Sequence, residues 1–364
     1  MKVLYAVQGT GNGHIARAME ILPALRKRVQ VDVLLSGMHS EIDLGCPVKF
    51  RLKGLGFKFG RKGGVDYFNT WWHGDIPQFL QEIRQLDLSD YDLVINDFEP
   101  VSAWAARQQH VPCVGLSNQC SLLHTRIPKP TGKKYRFSRS VLRHYAPIDA
   151  AYGLFYESVD SMIYTPVVRQ GIRQMKRSDG GHYVVYLPSF KDSKIIEALL
   201  NFPEVCWKVY GKHTREAYRW GNIEVSPVNQ TAFELDLASC RGVICAAGFA
   251  TTSEVLFLGK KLLVIPMKRQ FEQACNVLAL AKYGVPSVKN LKPKSLATLA
   301  RWLASSATVE VRYPENTQRI VDQILSDFAL QEAMPIQEIM QGKVGAINLV
   351  ICLLLRHVSL FSCA

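Results

Sequence analysis

The sequence predicts an α/β protein built from two Rossmann-like parallel sheets that face a cleft. Short, wholly apolar runs alternate with helical stretches from residue 3 to 116, the alternation stops between 117 and 181, and it resumes from 183 to 304. Apolar runs that do not alternate with polar residues are characteristic of parallel strands covered on both faces. With 364 residues, 48% of them hydrophobic, the chain can bury two cores.

Residues 3–7 form the first expected strand, followed by a glycine-rich turn (Gly9, Gly11, Gly13, then His14) and a helix over 15–28. Residues 31–36 make a second strand. A third, 92–96, ends at Asp97 and precedes a helix near 101–109, and 113–116 make a fourth. The stretch 117–146 is basic, aromatic and proline-bearing, and 164–181 reads as a linker carrying Pro166, Gly171, Gly180 and Gly181. Strands are then expected at 183–187, 206–210, 222–225, 242–245 and 262–265. Helices are expected at 192–200 and 231–238, from Gln273 onward, and at 294–304. The expected division is 1–165, 166–335 and a tail, 336–364, with a helix packing back on the first half. Open parallel sheets bind ligands beyond the carboxyl ends of their strands, so both loop clusters should face the cleft.

Composition excludes several classes. Nine cysteines are scattered without a CxxC pair or histidines at zinc spacing, so free thiols in a reducing cytoplasm are expected. The chain opens directly on a strand-like run, with no leader-like segment before it, and holds no run of 18 apolar residues. A net charge of +13 implies an anionic partner. Seven basic residues and no acidic ones fall in 126–143: Arg126, Lys129, Lys133, Lys134, Arg136, Arg139 and Arg143, with Tyr135 and Phe137 among them. That segment is a candidate surface for anionic lipid, the plainer alternative being a solvated loop. No nucleic-acid partner is expected.

The most informative stretch is 247–276. A small-residue turn at Gly248 opens a helix, an apolar strand stops at Pro266, and a polar cluster at 270–276 opens a second helix. Helix amino termini present unpaired N–H groups that suit a diphosphate. Glu254 lies one turn deeper, where a carboxylate meets ribose hydroxyls, and Glu272 and Gln273 lie where the attached sugar would be held.

These residues resemble the donor motif of glycosyltransferases with the two-domain GT-B fold. The similarity is to nucleotide-diphosphate glycosyltransferases and to the bacterial enzyme that adds N-acetylglucosamine to a lipid-linked muramyl peptide. Gly248, Phe249, Thr251, Glu254, Glu272, Gln273 and Asn276 match in register, while Ala246 replaces a phosphate-contacting histidine and Ala250 an asparagine. Without the resemblance, the same stretch is an ordinary strand–helix–strand unit.

The amino-terminal turn fails the dinucleotide fingerprint in its glycine spacing, and strand two lacks the terminal acid that would hold a ribose. It resembles instead the glycine-rich loop ending in Gly-His at the start of GT-B enzymes. His14 is then the candidate base for an acceptor hydroxyl, with Asp97 fixing its tautomer; the competing reading is a helix-capping or substrate-positioning residue for His14 and a helix cap for Asp97. The candidate donor-binding set is Gly11, Asn12, Gly13, Ser189, Gly248, Phe249, Ala250, Thr251, Glu254, Glu272 and Gln273.

The resemblance implies transfer of a sugar, UDP-linked, to an acceptor hydroxyl of unknown identity, a lipid-linked one included. It implies no cofactor and no metal, despite the Asp97/Glu99 pair. Ala246 stands where retaining relatives carry a glutamate, which points to inversion. The chain is expected in the cytoplasm, at the inner membrane face if 126–143 binds lipid. The competing functions are a nucleotide-sugar 2-epimerase and a catalytically silent sugar-nucleotide or nucleic-acid binding protein.

Overall fold

The computed structural model describes residues 1–37, 44–55, 75–132 and 135–332. One unit spans Met1–Ile320 and holds two sheets. The first is formed by β1 (Lys2–Gln8), β2 (Gln30–Ser36), β3 (Phe50–Leu52), β4 (Leu93–Asp97), β5 (Cys113–Ser117), β6 (Ala150–Leu154) and β7 (Ile163–Tyr164), in the order β3-β2-β1-β4-β5-β6-β7. Every pair in it is parallel. Its helices are α1 (Asn12–Arg26), α2 (Ile76–Gln85), α3 (Pro100–Gln109), α4 (Asn118–Ser121) and α5 (Arg136–His144).

After α6 (Gln170–Gln174), the second sheet takes β8 (His182–Tyr186), β9 (Cys206–Gly211), β10 (Tyr218–Trp220), β11 (Ile223–Pro227), β12 (Gly242–Cys245) and β13 (Lys261–Val264). Their order is β10-β11-β9-β8-β12-β13, parallel except for the β10–β11 hairpin. Its helices are α7 (Asp192–Leu199), α8 (Gln230–Ser239), α9 (Phe249–Phe257), α10 (Phe271–Lys282) and α11 (Pro293–Ala304). The last described helix is α12 (Thr317–Glu332), whose residues 321–332 fall in a separate unit. The expected tail, 336–364, lies outside the described residues.

Both sheets are doubly wound, and each core forms where apolar strand faces meet helices. Leu4, Ala6, Leu34 and Val94 pack with Val101 and Ala105 in the first. Val185, Trp207, Val225 and Ile244 pack with Ile195, Leu299 and Trp302 in the second. The strand order reverses between β1 and β4 and between β8 and β12, so each sheet has a switch point where its outgoing loops diverge and leave a crevice.

The elements absent from the sequence reading are the short strands β3, β6, β7 and β10 and the helices α2, α4, α5, α6 and α12. The helix α5 and the strand β6 fall in or just after the basic stretch read as pattern-free, and Tyr164 belongs to β7 rather than to a linker. Three-residue strands such as β3 and β10 are too short for any period to register.

Candidate active site

The first switch point places the two expected chemical residues together. The turn after β1 folds tightly against β2: Gly9 N–H donates to Ser36 O at 2.6 Å, and a Cβ on Gly9 would stand 2.9 Å from that oxygen. This close approach requires glycine and launches α1, whose N-cap is Gly11. His14, in the first turn of α1, puts Nδ1 2.8 Å from Asp97 Oδ1 at the end of β4. Its side chain is 16% exposed and that of Asp97 is fully buried.

Asp97 does not cap α3. That role belongs to Glu99, whose carboxylate accepts from Val101 and Ser102 N–H and from Ser36 Oγ. The residue between them, Phe98, adopts φ 55°, a left-handed conformation that turns the two acids in different directions. The Asp97/Glu99 pair is therefore split between two tasks and does not present a two-carboxylate face.

Arg17, which the sequence reading passed over, completes the cluster. It donates from Nε and Nη2 to the two Asp97 oxygens at 2.8 and 2.5 Å. Burial by itself would raise the Asp97 carboxyl, but the Arg17 guanidinium and then His14 outweigh it and hold it below its usual range. Sequence did carry a signal: an arginine three residues after His14 shares its helix face and sits among Ile15, Ala16 and Ala18.

The second switch point supplies the turn at Gly248, the N-cap of α9. Gly13 lies directly across from it, such that a Cβ on Gly13 would be 3.5 Å from the Ala250 Cβ. Phe249 packs edge-on against Tyr156, whose hydroxyl hydrogen-bonds Thr252 Oγ1 at 2.6 Å. Asn12 Nδ2 stands 3.5 Å from the Tyr186 hydroxyl, on the last residue of β8. One cavity is lined by Gly13, Arg17, Arg169, Phe249, Ala250 and Glu254. A second, of about 60 Å³, is lined by Asn12, Tyr186, Gln230, Phe233, Thr251 and Glu254 among others. Small-molecule sites commonly enclose about 300–1,000 Å³, so the cleft is narrow here.

Glu254 is not an open carboxylate. It is buried, and its two oxygens accept from Arg169 Nε and Nη2 at 2.6 and 2.7 Å. The remaining edge of Arg169 binds Glu234 of α8. The expected ribose contact must therefore use lone pairs that the guanidinium leaves. Arg169 stands between the two sheets, in the stretch read as linker, and was missed because an isolated arginine carries no periodic signal.

Glu272 reaches the first half: Gln119 Nε2 donates to its Oε2 at 2.8 Å. Burial raises its carboxyl above the usual range despite the nearby charges of His14 and Arg17. Gln273 is engaged structurally, its Oε1 accepting from Met267 N–H at 2.8 Å. Ser189 lies between β8 and α7, and its buried Oγ has no hydrogen-bond partner among the described residues. It does not line either cavity.

Two doubly wound sheets, a histidine–aspartate pair at one switch point and a small-residue helix start at the other define a GT-B enzyme. The family profile described as glycosyl transferase family 1 matches residues 1–304, and the chain belongs to that family; it is a glycosyltransferase. No curated protein matches the sequence. Among solved structures, the fold is similar to that of UGT89C1 from Arabidopsis thaliana, complexed with UDP-L-rhamnose (15% identity, TM-score 0.55, covering 90% of this chain and 98% of that one). It is similar to Acinetobacter baumannii MurG (16%, 0.52, 89% and 99%) and to a UDP-N-acetylglucosamine 2-epimerase (13%, 0.53, 92% and 98%).

Proposed function

We propose that this protein moves a sugar from a nucleoside-diphosphate donor, UDP-linked, to an acceptor hydroxyl, with inversion and with no metal in the chemical step. The observation that carries this reading is the meeting of the two switch points, with Gly13, beside His14, directly opposite Ala250 in the first turn of α9. The loop that carries His14 thereby meets the helix start that would bind the diphosphate.

In this reading, His14 Nδ1 donates to Asp97, and Nε2 takes the proton of the acceptor hydroxyl as its oxygen attacks the anomeric carbon. The bond to the diphosphate breaks on the opposite face, and the charge left on the leaving group meets the N–H groups of Ala250 and Thr251 and the Thr251 hydroxyl. Glu254 meets the ribose, while Tyr186, Gln230 and Phe233 receive the nucleobase. Glu272, with Gln273, holds the sugar. Ala246 leaves no second glutamate for a retaining mechanism. Donor entry requires the halves to separate at the Gly13–Ala250 seam. UGT89C1 was solved with a UDP-sugar, which supports the choice of nucleotide.

The half formed by 1–165 takes the acceptor and that formed by 166–335 the donor. The basic segment 126–143 lies on the acceptor side and would set the protein against an anionic membrane surface, where a lipid-linked acceptor is found. Arg126 and Lys129 are tied to carbonyl oxygens, whereas Arg139 and Arg143 of α5 are exposed. Lys133 and Lys134 lie outside the described residues.

The test is a thermal-shift panel of nucleoside diphosphates and their sugars, followed by labelled donor with lipid and aqueous extracts in the presence of EDTA. Expected are stabilisation by UDP and a labelled product of inverted anomeric configuration. Retention of configuration would remove the inverting mechanism, and donor converted to its C2 epimer without acceptor would establish the epimerase reading instead.

A further inference from the structure

Arg17 is bound more closely to the His14–Asp97 pair than a packing role needs. Nε and Nη2 hold the two Asp97 oxygens at 2.8 and 2.5 Å, and Nη2 also stands 3.0 Å from His14 Nδ1. Arg17 is 8% exposed and Asp97 fully buried, so little water screens these charges. In an ordinary histidine–carboxylate pair the acid favours the imidazolium. Here a fixed cation lies as near to the ring as the acid does.

We propose that Arg17 is a positioning residue that fixes the Asp97 carboxylate for the Nδ1 hydrogen bond and, by sharing its charge, keeps His14 neutral with Nε2 unprotonated. Nδ1 has two neighbours that favour opposite states. Unprotonated, it accepts from Arg17 Nη2 at 3.0 Å and meets Asp97 Oδ1 at 2.8 Å acceptor against acceptor; protonated, it donates to Oδ1 and meets Nη2 donor against donor. Nη2 already donates to Oδ1 at 2.5 Å, so we place the Nδ1 proton toward the acid and the free lone pair on Nε2. Other ionisable groups border the cluster. Tyr5 of β1 and Cys120 of α4 are kept neutral by burial, which pushes the Cys120 thiol up to about 11. From α10, Glu272 faces the same cluster with its carboxyl raised by burial.

The proposal takes its catalytic meaning from the transferase reading, but its measurement does not depend on it. A base must be unprotonated when the acceptor arrives. With Arg17 present, its charge offsets that of Asp97 at the ring; without it, the full charge of Asp97 draws a proton onto the ring and the base is lost.

The experiment follows the ring nitrogens of His14 by NMR against pH in ¹⁵N-histidine-labelled protein, the resonances identified by their loss in His14→Gln. Wild type is expected to show a protonated Nδ1 and a bare Nε2. Arg17→Gln should raise the titration midpoint by about 1–3 pH units, the usual effect of a charge within 4–6 Å. Arg17→Lys, which keeps the charge, should stay near wild type. Arg17→Gln/Asp97→Asn leaves no buried charge unpartnered, so it keeps the question open to measurement if the single variant does not fold; it should show mixed tautomers. A folded Arg17→Gln with an unmoved midpoint would overturn the proposal, as would Arg17→Lys behaving like Arg17→Gln, wild type carrying the proton on Nε2, or a single tautomer in the double variant. Turnover of UDP-sugars is measured alongside: the NMR shifts as expected with no turnover in wild type would remove the UDP-sugar reading and leave the role of Arg17 standing.

Discussion

Removing Glu254 should damage the fold before it reveals anything about the donor. Its carboxylate makes the two-point contact with Arg169, and the paired side chains are only 10% and 5% exposed. Breaking a buried ion pair from one side costs about 3–5 kcal/mol, because it strands the other charge. Glu234 still holds one edge of Arg169, which sets the expectation for Glu254→Ala at the lower end, about 3 kcal/mol. Each kcal/mol moves the melting temperature by roughly 2–4 °C in domains of 150–250 residues, giving a drop of about 6–12 °C. Glu254→Gln keeps the shape and one acceptor oxygen and should lose about 1.5–3 kcal/mol, the worth of hydrogen bonds to a charged group. Calorimetric unfolding of both variants measures this, and UDP titration of the Gln variant then reads the ribose contact in a folded protein. A Glu254→Ala protein as stable as wild type would refute the reasoning, since it would mean that Arg169 does not depend on this partner.

Four further outcomes are expected. His14→Ala should lower turnover ~10²–10⁴-fold with donor affinity nearly unchanged, read from single-turnover kinetics and UDP titration. Glu272→Gln should change the pH dependence of stability: the native carboxyl is raised, so native protein binds more protons than unfolded chain above about pH 4.5, and wild type loses stability relative to the variant as pH rises through that region, as urea unfolding at several pH values would show. His110 ends α3 in an exposed left-handed conformation with φ 57°, so His110→Gly should stabilise by about 0.5–1 kcal/mol, read as a higher urea midpoint at unchanged slope. Wild type should sediment with anionic vesicles at low salt and be released at high salt, while Arg139→Ser/Arg143→Ser should sediment less; equal sedimentation of the two would rule out docking through α5.

The sequence exposed most of what repeats and little of what pairs at a distance. The strands β1, β4, β8 and β12 were legible because a strand buried on both faces is a continuous apolar run. His14 and the Gly248 turn were legible because each follows such a run at once. Arg17 and Arg169 were not read, because their partners Asp97 and Glu254 lie 80 and 85 residues away, a separation no local pattern encodes; only the helix face that Arg17 shares with His14 hinted at its place. Asp97 and Glu99 could not be told apart either, because the left-handed turn at Phe98 that sends one acid to the cleft and the other to the helix cap shows only in the backbone.

The first sheet is drawn from a single uninterrupted stretch, ending with β7 at Tyr164. His14, Arg17 and Asp97 all lie within it. At about 5–20 residues per second, roughly 1–4 s of synthesis separate Tyr164 at the end of β7 from His182 at the start of β8. The three residues can settle into one another during this interval, shielding a buried acid and a buried cation before any of the second sheet exists. Arg169 has no such option, because Glu234 and Glu254 are both made after it. The nascent chain therefore carries one neutralised charge pair and one waiting arginine, and the ribosome's direction of travel decides which is which.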